Sequence, residues 1–334
     1  ALVLAAPAAH AQQVTLKVGI AKALATAATM IAIEKGYFRD AGIKLEVEEL
    51  DTTANVMALL AQGQLQVVEG GISVGYFNGL ERGLPITIVA DRVSTPLGHR
   101  LLVRKDIADT IKRPRDLKGK VIASNGPGAV TTYEVAKILE SDGIGVKDVD
   151  IKILNFVNMG VGLTNKAIDA ALVIQPWASQ YVDQGIAVAF ADPDEHADPK
   201  PLTIAVNLVN TDWAGKNREL VQRYFLAYQR AVYDYCQAYH GGRNRAEVMD
   251  IIIRTGLETR RDVLDRYPWP GRNPNGRIHT ASLLDMQKYY IREGLAQKET
   301  PLDKLVDNQF VDLATQKLGP FVLENKDSKL AGCR

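Results

Sequence analysis

From Val14 to Val209, apolar residues recur with two periods that take turns. Short runs rich in β-branched residues read as strands at Val14–Ile20, Lys44–Glu48, Leu65–Glu69, Ile86–Ala90, Val121–Ser124, Ile151–Leu154 and Ala170–Ile174. Between them, stretches around 27–35, 54–62, 74–82, 130–141 and 160–166 carry apolar residues at helical spacing. Strands that alternate with helices predict parallel sheets and an α/β fold. Gly36, Gly63, Gly83 and Gly143 stand where four of these helices should end, a place that favours a left-handed residue. The segment 31–48 shows the unit most clearly. A helix face runs into Glu34-Lys35-Gly36, Tyr37 and Phe38 fold back as apolar plugs, and Leu45 and Val47 then alternate with Lys44, Glu46 and Glu48.

A chain of 334 residues is long for one core and predicts about two domains. LLAQGQLQVVEGG (59–71) and LTNKAIDAALVIQP (163–176) each run helix, turn, strand and break, about a hundred residues apart, as two similar lobes would place them. Leu101–Lys105 and Thr203–Val209 read as the crossings between lobes. The expected architecture is therefore two doubly wound α/β lobes joined by a two-strand hinge, with extra C-terminal helices. Lobe I would hold residues 14–104 and 204–334, and lobe II residues 105–203. The longest helix is expected from Asn217 to Tyr239, with Tyr224, Tyr235 and Tyr239 toward the core, and a later one from Thr280, a suitable cap.

Composition narrows the function only a little. Hydrophobic residues make up 46% and charged residues 24%, and the formal charge of +1 provides no field for nucleic acid. Residues 1–11, ALVLAAPAAHA, resemble the end of a secretory signal with a small-x-small site at Ala9-His10-Ala11. They predict export to the periplasm with cleavage near Ala11. Cys236 and Cys333 are the two cysteines, one in a helical pattern and one in a polar tail, and are expected as free thiols. No metal or cofactor is expected from their spacing.

In open α/β sheets, ligands gather beyond the C-terminal strand ends, where helix N-termini present bare N–H groups. That rule nominates Lys22 and Ala23 after the first strand, Gly71 and Ser73 after the third, and Arg92 after the fourth. In the second lobe it nominates the turn of Ser124, Asn125, Gly126, Gly128, Ala129 and Val130, then Asn155, and then Gln175 with Trp177. Two glycines and small polar residues before a helix make this turn either a seat for an anionic oxygen or a tight strand-to-helix turn with no ligand, and it lacks the third glycine and the ribose-binding acid of a dinucleotide site. Tyr267-Pro268-Trp269-Pro270 is a stiff aromatic loop that can line a cleft or form a surface turn.

Gly71-Ile72-Ser73-Val74-Gly75 also spells the nucleophile elbow of α/β-hydrolases. Only three strands precede it, however, and none of His99, His196, His240 and His279 sits in a context that marks a base.

Together EKGYFRDAGIKLEV (34–47), ALLAQGQLQVVEGG (58–71), GLPITIVA (83–90), DLKGKVIASNGPG (116–128) and IDAALVIQPW (168–177) resemble the periplasmic solute-binding proteins of the nitrate/sulfonate/taurine ABC-importer class. The likeness extends through NPNGRIHTASLLDMQKYYIREGL (273–295). It implies a two-lobed, monomeric binding protein that closes on a small anion and delivers it to a membrane permease, with no catalysis. By the same resemblance, the pocket takes in the loop at Lys22–Ala25, Gly71, Ser73, the Ser124–Val130 turn, Gln175 and Trp177. Gln175 stands where many relatives have an acid, and Gln66 where an aspartate is usual. A neutral Gln175 points away from a zwitterion such as taurine, and Arg92, Lys22 or Arg100 would pair with a sulfonate or carboxylate. Two other readings stay open: a pyrimidine-precursor synthase of the same fold, which sacrifices a cleft histidine, and a periplasmic sensor subunit.

Overall fold

The computed structural model describes residues 13–50 and 56–334. The signal-like residues 1–11 and the start of the helix expected at 54–62 lie outside them. Ten strands form two five-stranded sheets among the described residues. The first sheet holds β1 (Val14–Ile20), β2 (Ile43–Glu49), β3 (Val67–Gly71), β4 (Ile86–Ser94) and β10 (Thr203–Asn210). The second holds β5 (Arg100–Arg104), β6 (Val121–Ser124), β7 (Asp150–Ile153), β8 (Ala170–Val173) and β9 (Ala187–Ala191).

The strand orders, β2-β1-β3-β10-β4 and β7-β6-β8-β5-β9, are the same pattern twice. In each, three parallel strands are followed by one antiparallel strand, β10 or β5, contributed from the far side of a crossing. The chain leaves the first sheet after Ser94 and enters the second at Arg100. It leaves the second after Ala191 and returns at Thr203. The strands expected as crossings thus belong to the sheets, and the loops beside them make the passage.

The repeat extends to single side chains. Gln66, just before β3, accepts from the amide of Lys17 through Oε1 at 2.8 Å, and its own amide donates back to the Lys17 carbonyl at 2.9 Å. Asp169, just before β8, does the same to Val121, at 3.0 and 2.8 Å. Both side chains pin a strand to its neighbour, so Gln66 serves the fold rather than the ligand.

Gly36, Gly63, Gly83 and Gly143 all take positive φ, between 73° and 77°, as expected of helix ends. Phe38 is buried and stacks on Tyr224 with ring centroids 5.0 Å apart, while Lys35 pairs with Asp234 at 3.0 Å. Both partners lie on the helix Arg218–Tyr239, whose buried Leu220, Tyr224, Tyr228, Ala231, Tyr235 and Tyr239 repeat at three and four residues. The plug segment therefore docks the longest helix against the first sheet.

Several expectations shift. The strand expected at Ile86–Ala90 runs on to Ser94, and the helix expected to be capped by Thr280 has His279 at its cap position. β3 begins at Val67 because the amides of Gln64 and Leu65 turn back onto the Leu59 carbonyl. The helix expected at 160–166 runs Phe156–Thr164, since the Asn155 side chain caps it through the Asn158 amide at 2.8 Å. Cys236 and Cys333, expected as free thiols, form a disulfide with Cα atoms 5.2 Å apart. The polar tail folds back along the long helix to reach it, with the amide side chains of Gln237 and Asn325 bonded to the carbonyls of Val322 and His240.

Candidate functional site

A cleft of about 710 Å³ opens where the C-terminal ends of β1, β3, β6 and β8 face one another. From the first sheet come Lys22, Ala23, Gly71 and Ser73. From the second come Asn125, Ala129, Val130, Asn155 and Trp177. The strand-end rule thus brings nine of its nominated residues to one cleft.

Local geometry explains why they meet. The turn after β3 and the turn after β6 bond to each other: Val74 N–H donates to Gly128 O at 2.9 Å, and Val130 N–H to Ile72 O at 3.1 Å. Ser73 and Ala129 form an isolated β-bridge between these bonds. Gly71 lets the loops approach, since a Cβ there would lie 3.3 Å from Val130 Cγ1. Three helices, Val74–Glu81, Val130–Glu140 and Phe156–Thr164, begin at the cleft and turn their positive dipole ends toward it. The Ser73 hydroxyl is buried at the cleft wall without a hydrogen-bond partner. Trp177 stacks on Phe156 with centroids 5.3 Å apart and 21° between planes, which gives the second-sheet side an aromatic surface.

The other nominated residues support the cleft from behind. Ser124 is buried and bonds Thr131 and Thr132, each at 2.7 Å, so it braces the turn. Gly126 accepts the Ala129 amide through its carbonyl, and Gly128, at φ 62°, packs against Val74. Gln175 turns away from the cleft: its Oε1 accepts the Ser179 hydroxyl at 2.8 Å inside the helix that follows. The argument against a zwitterion from a neutral Gln175 therefore loses its footing.

Arg92 is also corrected. It is 2% exposed, its Nε lies 3.4 Å from the Glu69 carboxylate, and it donates to Thr26 Oγ1. Glu69 in turn accepts Thr29 Oγ1 at 2.6 Å and Tyr224 Oη at 2.9 Å. The pair is a buried structural bridge behind the cleft. Arg100, named as a weaker partner, binds Asp192 at 2.7 Å at the crossing between sheets. The stiff loop at Tyr267–Pro270 also lies off the main cleft: Trp269 is buried, and its Nε1 donates to Leu264 O at 2.9 Å.

One stretch of the cleft was not foreseen. Residues 256–260, Gly-Leu-Glu-Thr-Arg, complete the wall from the C-terminal helical region. They lie at no strand end and in no segment that carries the family likeness; the one sequence signal is a charged pair, Glu258 and Arg260, in a short break between helices. Gln180 and Gln184 add polar groups from the second lobe. The charged side chains on the wall are Lys22 and Arg260 against Glu49 and Glu258, with Lys22 3.4 Å from Glu49. No histidine is on the wall among the described residues. His99 instead bonds the buried Glu134 through Nδ1 at 2.9 Å.

Residues 25–239 match the protein family described as NMT1/THI5 like. No curated protein sequence matches the chain. Among solved structures, the alkanesulfonate-binding protein SsuA from Xanthomonas axonopodis pv. citri, bound to MOPS, is 18% identical with a TM-score of 0.72, over 89% of this chain and 99% of that one. The periplasmic nitrate-binding protein NrtA from Synechocystis PCC 6803 is 17% identical with a TM-score of 0.76, over 92% and 90%. The desulfurization enzyme DszB is 17% identical with a TM-score of 0.62, over 91% and 99%. These likenesses show a shared two-lobed α/β fold.

Proposed function

The chain belongs to the NMT1/THI5-like family, and from that footing we propose that it is the substrate-binding component of an ABC importer. Its cargo is a small organic anion, a sulfonate or carboxylate with an apolar or aromatic body, held between the lobes and delivered to a membrane permease. We place the lobe boundaries at the two crossings, 95–99 and 192–202.

The observation that carries this reading is the convergence of three helix N-termini on a cleft with one aromatic side. The dipole ends favour negative charge, and the Phe156–Trp177 stack offers a flat apolar surface. The volume, about 710 Å³, sits within the roughly 300–1,000 Å³ of sites that take organic ligands and is generous for a bare nitrate. The Cys236–Cys333 disulfide is in keeping with an oxidising compartment such as the periplasm. A binding role is supported over hydrolysis by the Ser73 hydroxyl, which among the described residues bonds to no base, and by the lack of a histidine among the described residues of the cleft wall.

Thermal-shift screening of the ligand-stripped protein against sulfonates, aromatic carboxylates, nitrate and pyrimidines tests the proposal. An organic anion should raise the melting temperature in proportion to the logarithm of its concentration above Kd, and mass spectrometry should recover it unchanged. Conversion of the compound would instead support a catalytic reading, as in the fold-mate DszB. Size-exclusion chromatography should show a monomer.

A further inference from the structure

We infer that Arg260 is the specificity-determining cation of the cleft, gripping the oxyanion of the cargo with two parallel N–H groups, and that Glu258 is its positioning residue. The inference rests on the organic-anion reading above and adds to it the group that meets the charge.

Lys22 and Arg260 are the two cations on the cleft wall among the described residues. They are held very differently. The Lys22 and Glu49 side chains are 47% and 64% exposed and meet at 3.4 Å, a contact that solvent screens. Arg260 is instead built into place. The buried Glu258 accepts its backbone amide at 2.8 Å and its Nε at 3.3 Å through Oε1, and its Nη2 at 3.2 Å through Oε2. One carboxylate therefore fixes both the backbone turn and the plane of the guanidinium.

A guanidinium has five N–H groups. Glu258 takes two, on Nε and Nη2, and Asp183 takes one on Nη1 at 3.4 Å. One N–H on each terminal nitrogen is left, and that pair matches two oxygens of a carboxylate or sulfonate. The Asp183 contact is long, and Asp183 has other donors in Tyr267 Oη at 2.7 Å and Arg266 Nη2 at 3.4 Å. The cargo oxyanion takes the remaining pair and leaves this contact in place. Because Asp183 belongs to the second lobe and Arg260 to the C-terminal region, the guanidinium that meets the charge also bridges the lobes.

Calorimetric titration of the ligand-stripped protein with benzenesulfonate, benzoate and methanesulfonate tests the inference, using Arg260→Gln, Arg260→Lys and Glu258→Gln beside the unaltered chain. Loss of two charge-assisted bonds should weaken binding about 100-fold in Arg260→Gln. Arg260→Lys, which keeps the charge but not the fork, should recover part of the loss. Glu258→Gln should fall between, and denaturant midpoints should show all variants folded. Equal affinity in Arg260→Gln and the unaltered chain overturns the assignment while the cargo reading stands. Affinity in Arg260→Lys equal to that of the unaltered chain overturns the two-oxygen grip, because charge alone would then suffice. If none of the three anions binds the unaltered chain, the organic-anion reading falls and the inference falls with it.

Discussion

The backbone amide of Val74 donates to the carbonyl of Gly128 at 2.9 Å, and so ties the first turn of a helix on one sheet to a loop on the other. With the reciprocal bond from Val130 to Ile72, the two strongest anion-seat loops spend their leading N–H groups on each other. The cleft is therefore formed with its lobes in contact, as in hinge closure around a ligand. On the proposed reading, cargo would meet the residues and helix ends beside this bridge.

Closure should be sensitive at Gly128. The residue sits at φ 62°, and a Cβ there would collide with the Val74 side chain. Gly128→Ala should push the lobes apart and weaken cargo binding about 10-fold, since the clash of its Cβ with Val74 burdens only the state in which the lobes touch. Small-angle scattering checks it. The unaltered chain should contract on addition of cargo, and the variant should contract less.

Removing Arg92 should damage stability rather than recognition. The Glu69–Arg92 pair is buried on both sides, at 0% and 2% exposure. Arg92→Ala would leave Glu69 charged and uncompensated, at a cost of about 3–5 kcal/mol. Urea denaturation should register that loss, while calorimetry on the folded fraction should give an unchanged Kd.

Reduction should loosen the C-terminal tail first. Cys236 and Cys333 are 97 residues apart in sequence and both buried. Cys333→Ser should lower stability by about 2–5 kcal/mol, chiefly by freeing the unfolded chain. Hydrogen exchange should rise first near Val322 and Asn325, which bond to the long helix.

Mild acid should favour the fold through two buried aspartates. Burial raises Asp91 to about 6 and Asp194 to about 6, from an ordinary 3.8. Each binds its proton more tightly folded than unfolded, so its stabilising contribution is complete below 3.8 and lost as pH rises through 6. Moving from pH 7 to pH 5 should gain about 1 kcal/mol per group. His240 and His279, lowered by burial, act in the opposite sense. The effect is therefore read as a difference: Asp194→Asn should lack its share of the gain when urea curves are compared at the two pH values.

Local patterns made much of the fold legible. β1 and β6 have the bounds that alternation predicts, and four helix-ending glycines take the left-handed backbone their positions require. Lys22, Ser73, Asn125 and Trp177 line the cleft because strand ends of such sheets face it. What stayed hidden depends on distant partners. Arg92 looks like a ligand contact from the sequence because Glu69 and Thr26, which capture it, are far away along the chain. Gln175 looks exposed in a loop until Ser179 turns it inward. Arg260 and Glu258 come from a break between helices, where no periodicity marks a binding wall.

A crystal structure of the ligand-stripped protein soaked with the best organic anion from the thermal screen tests the central claim most directly. The account predicts electron density between the lobes, with the apolar body against Trp177 and Phe156 and the oxyanion beside Arg260. Density confined to the outer surface of either lobe, with the cleft holding only solvent, would contradict it.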